Sequence, residues 1–392
     1  MSKIRTYKYR LYTTKNQVYK LENAIETCRI LYNSCLVDRR NHYERTGKGL
    51  SRIDQQRIIV ADKARMPLLR EVHSQVLQDV LFRVERAFKA FFRRLAEKDK
   101  KAGYPRFKGK ERYNSITYPQ KPGFSFKEGK LVLSKIGHIK IKMHRQIEGK
   151  VKTCTIVRDS DRWYACFSVE KMPLRIAPPS NKRIGIDVGI KNFAVLSDGA
   201  SIENPKYLIK SETKLARLQK SLSRKKKGSS NRGKTKLLVA RLHRTIRNQR
   251  ADFHHKISRQ IVDSYGTITV EDLQIRNMVK NHHIAKSISD AGWGLFLAKL
   301  AYKAEEAGRL FEKIAPNNTS QICSGCGEKV LKSLSIRIHK CPFCGLILDR
   351  DENAAINILK RSTVGTTGSY AWGEAVQLGS SLNQEALSVR SG

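Results

Sequence analysis

Two pairs of cysteines and three scattered carboxylates are the residues whose types and spacing could do chemistry in this chain. The cysteines fall in CSGCG (323 to 327) and CPFCG (341 to 345), a pattern of C-x2-C, fourteen residues, C-x2-C. Two residues between thiols let both sulfurs of one turn face a single ion, and the glycine after each pair frees backbone N–H groups to bond the sulfurs. Two such turns build a tetrahedral four-thiolate site, the closed coordination of a structural zinc. Cys323, Cys326, Cys341 and Cys344 are therefore assigned to Zn2+, with an iron–sulfur cluster or paired thiols as the alternatives. Of the carboxylates, Asp187 lies inside the apolar run IGIDVGI and Glu271 closes the run TITVE. An ionised carboxylate in an apolar strand is unfavourable unless a metal or a base pairs with it. Singly, Asp187 could start a turn and Glu271 could begin a loop with Asp272. Together they suggest neighbouring strands of one sheet whose carboxylates converge on a divalent metal.

Two carboxylates make an incomplete site for Mg2+, which takes oxygen ligands and keeps several waters. A third acid lies in CPFCGLILDRDENAAINIL (341 to 359), whose second half reads as a helix. Asp349 is placed to cap that helix, and Glu352, three residues on, would complete a capping box. Asp351 is left in the first helical turn, where the helix dipole explains under about 1 kcal/mol of purpose. It is the spare carboxylate that a site built by Asp187 and Glu271 lacks.

The elements that must position these groups follow from hydrophobic period. Tyr7, Tyr9 and Leu11 alternate with Lys8 and Arg10, a half-buried strand. Val18, Leu21, Ile25, Cys28, Tyr32 and Cys35 recur at steps of three and four, a helix on whose buried stripe both cysteines are packing residues. A second helix is expected over 74 to 98, and GYPRFKGKERYNSITYPQ (103 to 120) interleaves basic and aromatic residues in a way that suits phosphate contact and base stacking. The run KVKTCTIVRDSDRWYACFSVEK predicts a hairpin turning at Asp159-Ser160-Asp161, with Cys154 and Cys166 buried in its strands. A boundary is placed near MPLRIAPPSNKR (172 to 183), followed by a hairpin over RIGIDVGIKNFAVLSDG. Residues 213 to 250 hold fourteen Lys or Arg and no acid, in two helices around a turn at Gly228 to Gly233. A helix from Ala251 then leads into GTITVEDL, and another, SISDAGWGLFLAKLAYKAEEAG, into RLFEKIAP.

Charge sets the partner. The 392 residues carry 77 Lys and Arg against 35 Asp and Glu, a net +42. Such an excess repels itself in a compact state unless a polyanion neutralises it, and nucleic acid is the commonest large one. The opening MSKIRTYKYRLYTT lacks the apolar segment of a signal peptide, and no stretch approaches bilayer-spanning length. A soluble cytoplasmic protein is expected, in which thiols stay reduced and serve metal or packing.

The ordered set GIDVGIKN, VEDL, TSQICSGCG, CPFCG and LDRDENAAINI resembles the TnpB (OrfB) proteins of insertion sequences and their relatives, the type V CRISPR effectors; YKYRLYTTKNQ and GYPRFKGK carry the likeness toward the N-terminus, so that it covers about residues 3 to 360. The resemblance implies an α/β multidomain protein. A RuvC-like RNase H-fold nuclease domain (179 to 318 and 346 to 361) would include the basic helical hairpin and be interrupted by a zinc ribbon (319 to 345). It would be fused to β-barrel-like wedge strands (1 to 14 and 103 to 178) carrying an inserted α-helical recognition module (15 to 102). Residues 362 to 392, Gly/Ser-rich, are expected to form a disordered tail. It further implies an RNA-guided DNA endonuclease whose guide derives from the transposon end, with target double-stranded DNA and guide RNA as partners, no membrane, and a monomer favoured. The family's acid triad falls on Asp187, Glu271 and Asp351, all present as acids, with Asp187 the best candidate to bridge two Mg2+ ions. Lys225, Lys226, Lys227 and Arg232 of the hairpin would flank the guide–target heteroduplex, with Arg106 and Lys108 as further nucleic-acid contacts. Ser74, Gln75, Gln78, Ser115 and Thr117 are placed to read the short flanking motif. The rival readings are an RNase H-fold transposase and a catalytically silent RNA-guided repressor.

Overall fold

The computed structural model describes residues 4–98, 102–170, 177–333 and 336–364. The chain divides into two compact units, Met1–Pro173 and Leu174–Gly392.

The first unit runs β1 (Ile4–Tyr12), α1 (Lys15–Thr46), α2 (Arg52–Arg65), α3 (Pro67–Arg70), α4 (Ser74–Ala96), β2 (Ser115–Tyr118), β3 (Phe124–Lys127), β4 (Lys130–Leu133), β5 (Gly137–Lys142), β6 (Lys150–Asp159) and β7 (Arg162–Glu170). Its seven strands form one sheet in the order β2-β6-β7-β1-β5-β4-β3, with every neighbour antiparallel. Alternation puts Tyr7, Tyr9 and Leu11 of β1 inside, as their spacing requires. Thr14 and Gln17 form a reciprocal capping box at the start of α1, and Gly47, at φ 67°, ends it. The stripe Leu21, Ile25, Cys28, Tyr32, Cys35 is buried, and the helices and strands share a single hydrophobic core. Burial pushes the Cys28 and Cys35 thiols up to about 12, which makes them packing residues with no thiolate chemistry. Cys154 is buried but Cys166 is only half-buried, against expectation. In β7 the inward positions are Ala165 and Phe167, so Cys166 falls on the opposite face of the strand.

The second unit begins with β8 (Arg183–Val188), β9 (Asn192–Leu196) and β10 (Ser201–Glu203), then α5 (Tyr207–Ser223), α6 (Ser230–Ser264), β11 (Thr267–Glu271), α7 (Ile275–Met278), α8 (His282–Ala291), α9 (Trp293–Glu306) and β12 (Leu310–Ile314). It closes with β13 (Ile338–Lys340), β14 (Ile347–Asp349) and α10 (Arg350–Val364). The main sheet has the order β10-β9-β8-β11-β12, with β8, β11 and β12 parallel and the β8-β9-β10 meander antiparallel. Ile184, Ile186, Ile268 and Val270 join Phe296, Leu300 and Val262 in one core. The alternate residues, Gly185 and Asp187 on β8 and Thr269 and Glu271 on β11, belong to the opposite face, where α10 packs.

Three expected boundaries shift. The helix placed from Ala251 is the continuation of the hairpin's second arm, because no cap interrupts α6 and Ile246, Ile261 and Val262 are buried along one helix. The hairpin turn ends at Ser229, which caps α6 by accepting from Arg232 N–H at 3.2 Å, so Gly233 is already helical. The single helix read over 287 to 308 is two, broken at Gly292. That residue takes φ 66°, open to glycine at no steric penalty, and a Cβ there would sit 3.0 Å from Arg250 Cδ. At the C-terminal end α10 continues through Val364, and the rest of the expected tail lies outside the described residues.

Candidate active site

Register, more than any single residue, builds the site. Parallel β8 and β11 pair Gly185 with Thr269 and Ile186 with Val270, which puts Asp187 level with Glu271 on adjacent strands and on the same face. Neighbouring strands lie about 4.8 Å apart, so the two carboxyl groups are side by side at the C-terminal ends of their strands. The first turn of α10 brings Asp351 to the same corner. This is possible because Gly185 has no side chain: a Cβ there would lie 2.2 Å from Ala355 O and 2.7 Å from Leu359 N. Four residues farther on, a Cβ at Gly189 would stand 4.0 Å from Asp351 Oδ2.

Electrostatics reports the same convergence. Asp187 keeps part of its surface open, yet its carboxyl is held well above the ordinary carboxylate range. The main cause is burial, followed by the negative charges of Glu271 and Asp351, with Arg350 opposing. Glu271 is raised as well, by burial, against a hydrogen bond from Thr319 Oγ1 and the charge of Arg361. Asp351 is 15% exposed and faces Arg337 Nη1 at 3.7 Å. Acids gathered at one corner in this way favour a cation beyond what Arg337 and Arg361 supply, and a divalent ion with oxygen ligands fits that donor set. The acids do not form as tight a cluster as the cysteines do, so waters would complete the coordination of a small ion.

Asp349 caps α10, accepting from Asp351 N–H at 2.8 Å. Glu352 departs from the expected capping box, since its carboxylate lies against the Gly199 turn, 3.4 Å from where a Cβ would be. The cysteine cluster is compact: all four Sγ atoms lie within 4.8 Å of one another, and Cys323–Cys344 and Cys326–Cys341 are each 3.6 Å apart. A tetrahedron with Zn–S bonds of about 2.3 Å spaces its sulfurs by about 3.8 Å, so these thiols fit zinc. The two knuckles repeat one turn: Gly327 N–H bonds Cys323 O and Gly345 N–H bonds Cys341 O, at 3.0 and 3.1 Å.

The candidate nucleic-acid residues divide by what holds them. Lys226 and Lys227 are exposed, whereas Lys225 Nζ bonds Thr235 and Arg232 Nη1 bonds Lys225 O at 3.0 Å, closing the hairpin turn. In the first unit Arg83 donates to Thr117 Oγ1 at 2.9 Å and Ser115 Oγ at 3.3 Å while pairing with Asp79 at 2.7 Å, so both hydroxyls are engaged inside the fold. Ser74 Oγ accepts from Lys63, Gln78 lines a groove between α2 and α4, and Gln75 Oε1 is buried without a partner. Arg106 is exposed, and Lys108 is pinned through its backbone by Asn33. Sequence reasoning missed Asp290, which accepts from Leu208 and Ile209 N–H at the start of α5 and from Arg250 at 3.2 Å, tying the basic hairpin to the core. It also missed Thr319, Asn353 and Asn357, whose only signal was the four-residue spacing of the two asparagines on α10.

Comparison with known proteins agrees with this architecture. Three family models match: the OrfB family described as "Probable transposase" over residues 166–282, a "Cas12f1-like, TNB domain" over 293–358, and a helix-turn-helix model over 1–48. The last spans β1 and α1, a strand and one long helix. The "Putative RNA-guided DNA endonuclease" of Streptomyces pristinaespiralis is 34% identical over 365 residues, 91% of this chain and 88% of that protein. The "Putative RNA-guided DNA endonuclease InsQ" of Escherichia coli K12 is 31% identical over 403 residues, 98% of both. Among solved structures, a Cas12f1 in complex with guide RNA and target DNA has a TM-score of 0.55 at 14% identity, covering 91% of this chain and 98% of that one. The mini-RNA-guided endonuclease Cas_phi3 has a TM-score of 0.50 at 10% identity, covering 93% and 92%. With a full-length likeness above 30% identity, three matching models and the ordered acids and cysteines, the chain belongs to the OrfB family of insertion-sequence proteins, the TnpB type related to the type V CRISPR effectors.

Proposed function

We propose that this chain is an RNA-guided DNA endonuclease of an insertion sequence. It binds an RNA derived from the transposon end and, beside a short flanking motif, cuts DNA that pairs with that RNA. In this reading the second unit is a RuvC-like RNase H-fold nuclease interrupted by a zinc ribbon, and the strands of the first form the wedge that carries the helical recognition module. The observation that carries the proposal is the level pairing of Asp187 with Glu271 across β8 and β11, with Asp351 brought to the same corner by α10.

The chemistry supplied by bound Mg2+ is Lewis-acid activation of a phosphodiester and of the attacking water. The chain's own part is positional and electrostatic. Asp187, whose carboxyl feels the charges of Glu271 and Asp351, would be the residue to hold more than one ion. Glu271 is oriented by Thr319, and Asp351 is held by the rigid first turn of α10. Exposed Lys226 and Lys227 meet phosphates, which gives backbone affinity without reading sequence. Sequence is left to base pairing with the guide.

The test is to purify the protein, sequence the RNA that accompanies it, and offer plasmids that match or mismatch the variable end of that RNA. Mg2+-dependent cutting of the matched plasmid alone is expected. Absence of a defined RNA would favour the transposase, which needs none, and defeat the proposal.

A further inference from the structure

Between the main sheet and the first zinc knuckle, residues 319–324 touch two of the candidate acids' supports at once. Thr319, 4% exposed, donates its hydroxyl to Glu271 Oε1. From the other side α10 reaches the same turn. Asn357 Nδ2 donates to Thr319 O at 2.9 Å and to Ile322 O at 2.7 Å. Asn353 uses both ends of its amide, donating to Ile322 O at 2.8 Å and accepting from Ser324 N–H at 2.8 Å. Lys360 Nζ donates to Ser324 O. Asn353 is fully buried and Asn357 is 5% exposed, so neither has water as an easy substitute. These contacts bracket Cys323, a zinc ligand, while Asn353 stands two residues beyond Asp351.

We propose that this turn is a strut that sets the spacing of the acids, with Thr319, Asn353 and Asn357 as positioning residues, so that zinc in the ribbon and divalent metal at the acids bind cooperatively. The inference rests on the acid-site reading above. A structural zinc site supplies folding free energy to the turns that hold it. When the thiols release their ion, the knuckle that presents Ile322 O and Ser324 N–H loses its closure, and with it the partners of Asn353 and Asn357. The hydroxyl on Glu271 and the axial placement of α10 then loosen together, and the carboxylates lose their common geometry. Linkage makes the effect reciprocal: metal at the acids raises the affinity of the thiols for zinc.

The test uses the full chain without nucleic acid, with Mn2+ as probe and its free-ion EPR signal as the measure of binding. Zinc release to a chromogenic chelator is followed in parallel. Thr319→Val is expected to weaken Mn2+ binding by about fivefold or more, the lower end of ordinary coupling, with zinc content unchanged. Thr319→Ser should restore it. Asn353→Leu should both weaken Mn2+ binding and speed zinc release, and removing zinc from the unaltered chain should weaken Mn2+ binding to a similar degree. Wild-type Mn2+ affinity in either folded, zinc-loaded Thr319→Val or the zinc-stripped chain would overturn the inference; if Asn353→Leu does not fold, those two measurements decide alone. Asp351→Asn is the control: if it too leaves Mn2+ binding unchanged, the acid-site reading fails and takes the inference with it. If it abolishes binding while Thr319→Val does not alter it, only the inference fails.

Discussion

Replacing Gly185 by alanine probes the whole site through one methyl group. The added Cβ would meet Ala355 O at 2.2 Å, Leu359 N at 2.7 Å and Leu359 Cβ at 3.0 Å. Two of these atoms are helix backbone and cannot rotate away. Ordinary contact begins near 3.4 Å, so α10 must retreat from β8 by about 1.2 Å, the difference between 3.4 and 2.2 Å. Overpacking of this kind destabilises by about 1–3 kcal/mol. Alanine would otherwise favour a strand over glycine by about 0.5–1 kcal/mol, so even the sign of the effect is informative. In a unit of this size each kcal/mol moves Tm by about 2–4 °C. Asp351 sits one turn before Ala355 and moves with the helix, and a misplacement of about 1 Å can slow an enzyme about 100-fold. The assay is cleavage of a matched plasmid alongside thermal unfolding and zinc analysis. Cutting reduced about 100-fold, with a lowered Tm and full zinc content, is the expected result. Cutting at the wild-type rate with an unchanged or raised Tm would refute the argument that α10 carries Asp351 to the site by close contact with β8.

Three further outcomes follow from the geometry. A carboxyl whose folded-state pKa exceeds its unfolded value contributes stability below the unfolded value that is lost as pH rises through the folded one. Asp187 and Glu271 are raised above ordinary values of 3.8 and 4.5, so the zinc-loaded chain without Mg2+ should lose stability as pH climbs from that range, and added Mg2+ should restore it; thermal melts of the zinc-loaded chain against pH, with and without Mg2+, check this. Lys226→Ala with Lys227→Ala should lower the slope of log affinity against log salt by about 2 without moving Tm, whereas Arg232→Ala should lower Tm because it opens the turn capped at Leu222 and Lys225; filter binding across a salt series separates them. Arg83→Met should destabilise the first unit by about 1–3 kcal/mol, since buried Asp79 keeps only the longer ion pair with exposed Arg86 at 3.6 Å while Ser115 and Thr117 lose their donor, and a denaturant titration of the variant measures it.

The residues that announce chemistry in the sequence are those whose type conflicts with their surroundings. Asp187 in IGIDVGI and the paired cysteines are legible because nothing local explains them. Asp351 was separable from Asp349 for the same reason, once a cap accounted for its neighbour. What stayed hidden depends on partners supplied by tertiary structure. Thr319, Asn353 and Asn357 bond backbone carbonyls and a carboxylate brought near by folding, and Asp290 caps a helix 82 residues away in sequence. Ser115 and Thr117 read as open polar groups until Arg83 is seen to occupy them. The boundary at Ala251 was misplaced because a basic helix surface gives no stop signal where packing simply continues. Gly292 carried its signal, a glycine closing the segment SISDA, but the apolar run WGLFLAKLAY that follows it masked the break.

In the proposed nuclease, strand cleavage turns on Asp187, whose carboxyl lies beside Glu271 and feels the charge of Asp351. The most direct measurement is Mg2+-dependent cutting of a guide-matched plasmid by Asp187→Asn, compared with the unaltered chain and with RNA and DNA binding recorded on the same preparations. Loss of cutting with binding and zinc content intact is the predicted result. Undiminished cutting by Asp187→Asn would contradict the account.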